Sequence, residues 1–305
     1  MNAFFTPLVD ESVLSIHGPD TLAFLQGQTT CDTRDLSEGQ ALQGLLCSPQ
    51  GRVLADFLAV QIAPEHVLLR LRRGIAADTT AILSKYIAFS KAELTDQSRQ
   101  WQAYGLHGDD AQDCLAQSVG ASARGSLAVV TADGAFVVQL DEKGECFECL
   151  ASSDSPAIAT LSEAAAPGTE AAWRARLITH GLPRIEAETA GEFVPQNLNF
   201  DRTGHISFTK GCYTGQEVVA RLHYRGKSKR RVLVGRTSTG SVDTGQTVVT
   251  ADGKTAGVVI NAAGIDEDAS VLLVSTSPDN VDQGLQLAET SSPISLALPP
   301  YSLED

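Results

Sequence analysis

Ile16-His17-Gly18-Pro19-Asp20 ends a run over 12–16 that alternates apolar and polar residues as a strand does. It then opens a helix whose apolar positions Leu22, Phe24 and Leu25 lead to Gln26-Gly27-Gln28. Ninety residues on, Leu106-His107-Gly108 and Asp110 echo it, and Leu115 answers Leu25. An echo at fixed spacing reads as two copies of one supersecondary unit. In the first copy, apolar runs at 41–47 and 53–62 flank Ser48-Pro49-Gln50-Gly51 as a hairpin, followed by a strand at 66–72, a helix at 74–86 and a strand at 91–95. The second copy continues with strands near 126–131 and 135–140 around Asp133-Gly134, a strand from Cys146 to Leu150, and an alanine-rich helix near 156–166. A β-α-β-β-β-α-β string packs its helices on one face of a mostly antiparallel sheet.

Pro167-Gly168 marks a joint, after which Trp173, Leu177 and Ile178 give a helix ended by Gly181 and Pro183. The stretch 184–209 is irregular. Beyond 230, short β-rich runs at 231–235, 246–250, 255–260 and 271–275 are separated by glycine and aspartate turns, which predicts a small β-barrel. The expected fold is therefore α+β: tandem ferredoxin-like units at 1–98 and 99–168, a helical connection at 169–228 and a C-terminal barrel at 229–305. At 305 residues with 43% hydrophobic side chains, the chain can fill more than one core.

A formal net charge of −14 argues against a general nucleic-acid coat or an anionic-membrane binder. No window approaches the roughly 18 apolar residues of a membrane span, and the start of the chain lacks a signal-peptide pattern. The expectation is a cytoplasmic protein with no membrane contact. Its six irregularly spaced cysteines read as free thiols rather than a disulfide framework. Cys146-Phe147-Glu148-Cys149 is a CxxC in a strand-like run, where i and i+3 side chains point to opposite faces, so it predicts no metal pair. The six histidines show no metal-binding spacing, and no tightly bound metal is expected. GxGxxG, P-loop and GxSxG patterns are absent from the sequence.

Chemistry concentrates in Lys210-Gly211-Cys212-Tyr213-Thr214-Gly215-Gln216-Glu217. A cysteine set between glycines, just before a helical pattern starting at Thr214, meets unpaired backbone N–H groups and the positive end of a helix dipole. Lys210 adds a positive charge, so the thiolate is favoured. Glu217 and Arg221 are spaced i, i+4 for a charge pair. Cys47, beside the hairpin turn, is a second cysteine that can face the same cleft. Directly after the motif, Arg221, Arg225, Lys227, Lys229, Arg230 and Arg231 place six cations in eleven residues without an acid. Such a stretch suits a folate glutamate tail, an RNA phosphate or an acidic protein, and the sequence does not choose among them.

Lys210 to Glu217 also resembles the signature of the YgfZ family of folate-binding proteins, relatives of the glycine-cleavage aminomethyltransferase. Gln26-Gly27-Gln28, Tyr86-Ile87-Ala88-Phe89-Ser90-Lys91, Ile206-Ser207-Phe208 and Pro300-Tyr301-Ser302-Leu303-Glu304 agree with it in order along the chain. The resemblance implies the same two ferredoxin-like halves and barrel around a central opening that holds tetrahydrofolate or a derivative. It implies a role in maintaining iron-sulfur proteins, tRNA-modifying ones included, with Cys212 as the working thiol beside Lys210. Gly211, Tyr213, Gly215, Gln216, Glu217 and Arg221 would be the motif frame. Trp173 stands where the family has a tryptophan associated with folate, and a flat indole can stack on a pterin. Gln26, Gln28, Arg225 and Lys227 complete the folate-facing set. A second family tryptophan is missing, because Glu11 and Val13 occupy its region. Where aminomethyltransferases carry carboxylates, this chain has Ala55 and Thr179. The expectation is thus an accessory factor, with a folate-dependent one-carbon transferase and a docking module without chemistry as the alternatives.

Overall fold

The computed structural model describes residues 2–304. Its first elements are strands β1 (Phe4–Pro7) and β2 (Glu11–His17), helix α1 (Thr21–Gln28), strands β3 (Leu42–Cys47), β4 (Val53–Ala63) and β5 (His66–Arg72), helix α2 (Arg73–Ile87) and strand β6 (Glu93–Asp96). Then come β7 (Trp101–His107), α3 (Ala111–Val119), β8 (Val129–Ala132), β9 (Ala135–Gln139), β10 (Cys146–Ser152), α4 (Pro156–Ala164), β11 (Ala166–Pro167), α5 (Glu170–Thr179) and α6 (Gln216–Arg225). The last strands are β12 (Arg231–Thr237), β13 (Thr247–Thr250), β14 (Thr255–Gly264), β15 (Ser270–Thr276), β16 (Leu285–Leu287) and β17 (Pro293–Ala297). Among the described residues no helix is long and apolar enough to cross a membrane.

The echoed residues do the same work twice. Gly18 and Gly108 both have φ +128°, a backbone that favours glycine. A Cβ on Gly18 would meet the Lys91 carbonyl oxygen, and one on Gly108 would meet that of Asn2. The neighbouring aspartates clamp the same approach: Asp20 Oδ2 accepts from Lys91 N at 2.7 Å, and Asp110 Oδ2 from Asn2 N at 2.6 Å. Neither aspartate caps its helix by a side-chain bond. The carboxylate instead fixes the strand beside it. In the first copy that strand is β6, pairing with β2 through His17↔Glu93. In the second it is β1, pairing with β7 through Phe4↔His107. The second copy therefore takes its edge partner from the start of the chain.

Two sheets result, in the order β3-β4-β5-β2-β6 and β11-β1-β7-β10-β9-β8. The alanine-rich helix ends at Ala164 because Ala165 turns extended, which frees Ala166 and Pro167 to pair in parallel with β1. The second sheet and its helices bury Phe5, Leu106, Cys114, Leu115, Val137, Phe147 and Cys149 in one cluster. Cys146 and Cys149 are both buried, and Cys149 belongs to this core, where burial raises its thiol pKa well above the usual range.

The chain divides into two compact units: residues up to Gly44 together with Asp56–Trp173, and Leu45–Ala55 together with the residues from Arg174 on. The first unit contains a buried ionic network. Arg70 Nη2 donates to Glu148 Oε2 at 2.7 Å, and Arg72 Nη1 to Glu11 Oε1 at 2.9 Å, while Arg70 Nη1 lies 3.8 Å from Glu11 Oε2. Arg70, Arg72 and Glu11 stand on the first sheet and Glu148 on the second, so paired charges join the two.

In the second unit, β12-β15-β14-β13-β16-β17 close into a barrel around Leu233, Val248, Val259, Leu272, Val274 and Leu296. The segment 184–209 is mostly irregular, with one 3-10 turn at Pro195–Leu198. Two asparagines tie neighbouring irregular chain to the barrel by standing in for a strand. Asn199 Nδ2 donates to Val232 O while its Oδ1 accepts from Val232 N, and Asn261 makes the same pair of bonds with Arg184.

Candidate functional site

The cysteine motif and the tip of the β3–β4 hairpin meet backbone to backbone within the second unit. The hairpin closes with Ser48 N to Arg52 O and Gly51 N to Ser48 O, both at 2.8 Å. Gly51 has φ +71° and Gly215 φ +83°. A Cβ on Gly215 would lie 2.4 Å from Ser48 O, 3.1 Å from Gly51 Cα and 3.2 Å from Cys47 Cβ. Gly215 is thus required twice, by its dihedral angle and by the approach. Gly211 is different, since a Cβ there meets nothing within 4 Å.

Helix α6 begins at Gln216 with Gly215 as its left-handed cap, two residues later than the pattern from Thr214 predicts. The close approach to Ser48 requires a glycine at this left-handed position, and the helix starts directly after it. Cys212 consequently lies three residues ahead of the cap, exposed, while Lys210 and Tyr213 on either side are buried. Lys210 Nζ sits 5.3 Å from the Tyr213 ring centroid, a cation–π distance. Burial raises the Tyr213 hydroxyl pKa, with buried Cys47 contributing, and desolvation pushes the Cys47 thiol up to about 12. Cys47 is therefore a neutral thiol at ordinary pH. Cys212 is the exposed one of the six cysteines.

The cations of 221–231 divide into two kinds. Arg231 is buried and donates to Asp201 Oδ1 at 2.7 Å and to Gln196 O at 3.0 Å, so it is a structural residue. Arg221, Arg225, Lys227, Lys229 and Arg230 are exposed, and among the described residues none has a carboxylate within ion-pair distance. The Glu217–Arg221 pair expected from spacing is not made. Beside these cations, Phe208 stacks on His223 with centroids 3.6 Å apart and planes at 10°, and Tyr224 packs edge-on against both. Tyr224 is 66% exposed.

Of the residues assigned to folate by resemblance, Trp173 and Gln26 are engaged within the protein, while Arg225 and Lys227 are exposed. Trp173 is 1% exposed, tilted against His107, and so close over Gly105 that a Cβ there would lie 2.6 Å from the indole. It is a core residue of the first unit rather than an open stacking face. The Gln26 amide closes the loop after α1: Nε2 donates to Asp32 Oδ1 and Oε1 accepts from Thr33 N and Oγ1. Gln28, on the same helix, is half-buried. Ala55 is buried, and Thr179 Oγ1 donates to Arg176 O, so neither position offers a carboxylate.

Sequence reasoning missed the aromatic group. Phe208 and Tyr224 could be found as aromatics flanking a basic run.

A family model described as GCVT N-terminal domain matches residues 9–133. The chain is 30% identical to the tRNA-modifying protein YgfZ of Aliivibrio fischeri, across 98% of this chain and 92% of that one. It is 32% identical to the tRNA-modifying protein YgfZ of Colwellia psychrerythraea, across 75% and 70%. Its fold is similar to that of the glycine cleavage system aminomethyltransferase T of Bartonella henselae, with a TM-score of 0.77 over 98% of this chain and 86% of that one at 18% identity. The GcvT-like fold, the intact cysteine motif on its glycine frame and full-length relatives at this identity lead to one assignment: the chain belongs to the YgfZ family.

Proposed function

We propose that the protein acts in tRNA modification as an accessory factor to iron-sulfur enzymes, with Cys212 as its working thiol. The observation that carries this reading is the setting of Cys212, an exposed thiol on a backbone frame that tolerates no side chain at Gly215, while the other cysteines are buried. The printed names of the relatives, tRNA-modifying protein YgfZ, support the tRNA part. The five unpaired cations and the exposed Tyr224 next to the motif supply the chemistry for an RNA strand, charge for phosphates and a ring for bases. Folate belongs to the proposal on the fold alone, and no step is assigned to it. Aminomethyl transfer is disfavoured by Ala55 and Thr179.

The test is complementation of a deletion strain with wild type or Cys212→Ser, reading iron-sulfur enzyme activities and the modified nucleosides of bulk tRNA. Native protein should release one equivalent of dye from a disulfide reagent, and Cys212→Ser none. A Cys212→Ser strain indistinguishable from wild type in both readouts overturns the role of the thiol.

A further inference from the structure

We propose that His17, His66 and Glu93 bind one divalent transition-metal ion of the Zn²⁺ class at the exposed end of the first sheet. The three residues are far apart in sequence, and strand register sets them side by side. β2 lies between β5 and β6, and His17 pairs directly with His66 on one side and with Glu93 on the other. Directly paired residues point to the same face of a sheet, so the three side chains form one row.

The two histidines make the closer kind of strand pair. Gly18 N donates to Glu65 O at 2.9 Å, between the residues that flank the pair. A bond placed there marks a non-hydrogen-bonded pair, in which side chains stand nearest each other. The imidazole centroids are 5.6 Å apart with planes at 53°, and His17 Nε2 lies 3.7 Å from Glu93 Oε2. Two ligand atoms, each about 2.1 Å from a tetrahedral ion, are about 3.4 Å apart, and the centroids of two imidazoles on such an ion are about 5 Å apart. Both neighbouring pairs in the row therefore have nearly the spacing of ligands on one ion.

His66 is the fixed member. Its Nε2 is 2.7 Å from the hydroxyl of buried Ser15, the kind of second contact that orients a metal-binding imidazole. With the proton on Nε2, Nδ1 is left for the ion. Burial and the neighbouring His17 lower the pKa of His66, which keeps its ring neutral at pH 7, as a ligand must be. His17 and Glu93 have side chains 49% and 68% exposed and turn about their own torsions to complete the site. Two imidazoles face to face across strands repel once both are protonated, whereas a shared cation makes the same contact attractive. Two imidazoles and a carboxylate, with a fourth position left to water, are a donor set of Zn²⁺, and the nitrogen ligands select against Mg²⁺ and Ca²⁺.

The frame behind the row is rigid. Gly18 packs on the Lys91 carbonyl and Asp20 holds Lys91 N, which fixes β6, and with it Glu93, against β2. The second copy supplies the contrast. His107 takes the place of His17 in the echoed corner, but its strand neighbours are Phe4 and Cys146. Phe4 stacks on the imidazole with centroids 5.5 Å apart, and Cys146 is buried. The second imidazole and the carboxylate belong to the first copy alone.

The test uses the full chain without a histidine tag, carrying Cys212→Ser so that the exposed thiol does not compete for metal. Isothermal calorimetry with ZnCl₂ reads affinity and stoichiometry, and scanning calorimetry reads the shift in Tm with and without Zn²⁺. One equivalent should bind and raise Tm. His17→Gln, His66→Gln and Glu93→Gln should each weaken binding roughly tenfold or more. Circular dichroism checks that the variants are folded. Should His66→Gln fail to fold, His17→Gln, on an exposed side chain, decides by itself. A parent chain that binds no Zn²⁺ overturns the site, as does affinity unchanged in His17→Gln. Affinity unchanged in Glu93→Gln overturns the three-residue site as drawn. None of these results bears on Cys212, which lies in the second unit.

Discussion

Gly215 and Gly211 flank the same cysteine, yet replacing each by alanine should have opposite consequences. At Gly215 the left-handed backbone costs an alanine about 1 kcal/mol, and the new Cβ, 2.4 Å from Ser48 O, must displace the hairpin turn. Displacement of packed backbone adds about 2 kcal/mol. The second unit should lose about 3 kcal/mol, which for a domain of this size lowers its Tm by about 6–12 °C. At Gly211 nothing lies within 4 Å and the change should stay within about 0.5 kcal/mol. Because Trp101 and Trp173 both lie in the first unit, indole fluorescence does not report the second, and the assay is differential scanning calorimetry with far-ultraviolet circular dichroism. Gly215→Ala unfolding within 1 °C of wild type, or Gly211→Ala falling as far as Gly215→Ala, would refute the idea that the motif is anchored through Gly215.

Arg70→Met should destabilise the first unit by about 3–5 kcal/mol, because Glu148 keeps a fully buried carboxylate that has lost its guanidinium; a urea-unfolding loss below about 1 kcal/mol would show that the network contributes little. His66, 2.7 Å from Ser15 Oγ, has its pKa lowered by burial and by nearby His17, so the unfolded chain takes up the proton first. Its contribution is present above the ordinary imidazole pKa of about 6.5 and is lost as pH falls below it. His66→Gln should therefore flatten part of the drop in Tm between pH 7 and pH 5, and parallel curves for variant and wild type would contradict this.

Much of the fold was legible because its signals are local. Alternation over 12–16, the Ser48–Gly51 turn and the Gly18/Gly108 echo each specify a strand, a hairpin or a strand-to-helix corner from a few residues. Pairing across the chain was not legible: nothing within Phe4–Pro7 says that its partner is β7. The cysteine site shows the same division. The motif announces itself, but the start of α6 at Gln216 is set by the Ser48 carbonyl, far away in sequence. Trp173 reads as a ligand platform until Gly105 is seen beneath it. A run of six cations is plain in the sequence, while the fact that Arg231 alone is tied to a carboxylate depends on where Asp201 lies.

The strand borrowed from the start of the chain has a consequence for synthesis. Residues 4–7 leave the ribosome about a hundred residues before Trp101–His107, which at 5–20 residues per second is a wait of about 5–20 s. The first copy completes its last strand, β6, only at the end of that interval, and throughout it β1 is an unpaired strand carrying Phe4 and Phe5. The second copy, once made, must then recruit a strand synthesised well before it, so a fusion that holds Phe4–Pro7 aside should slow the maturation of the second copy more than that of the first.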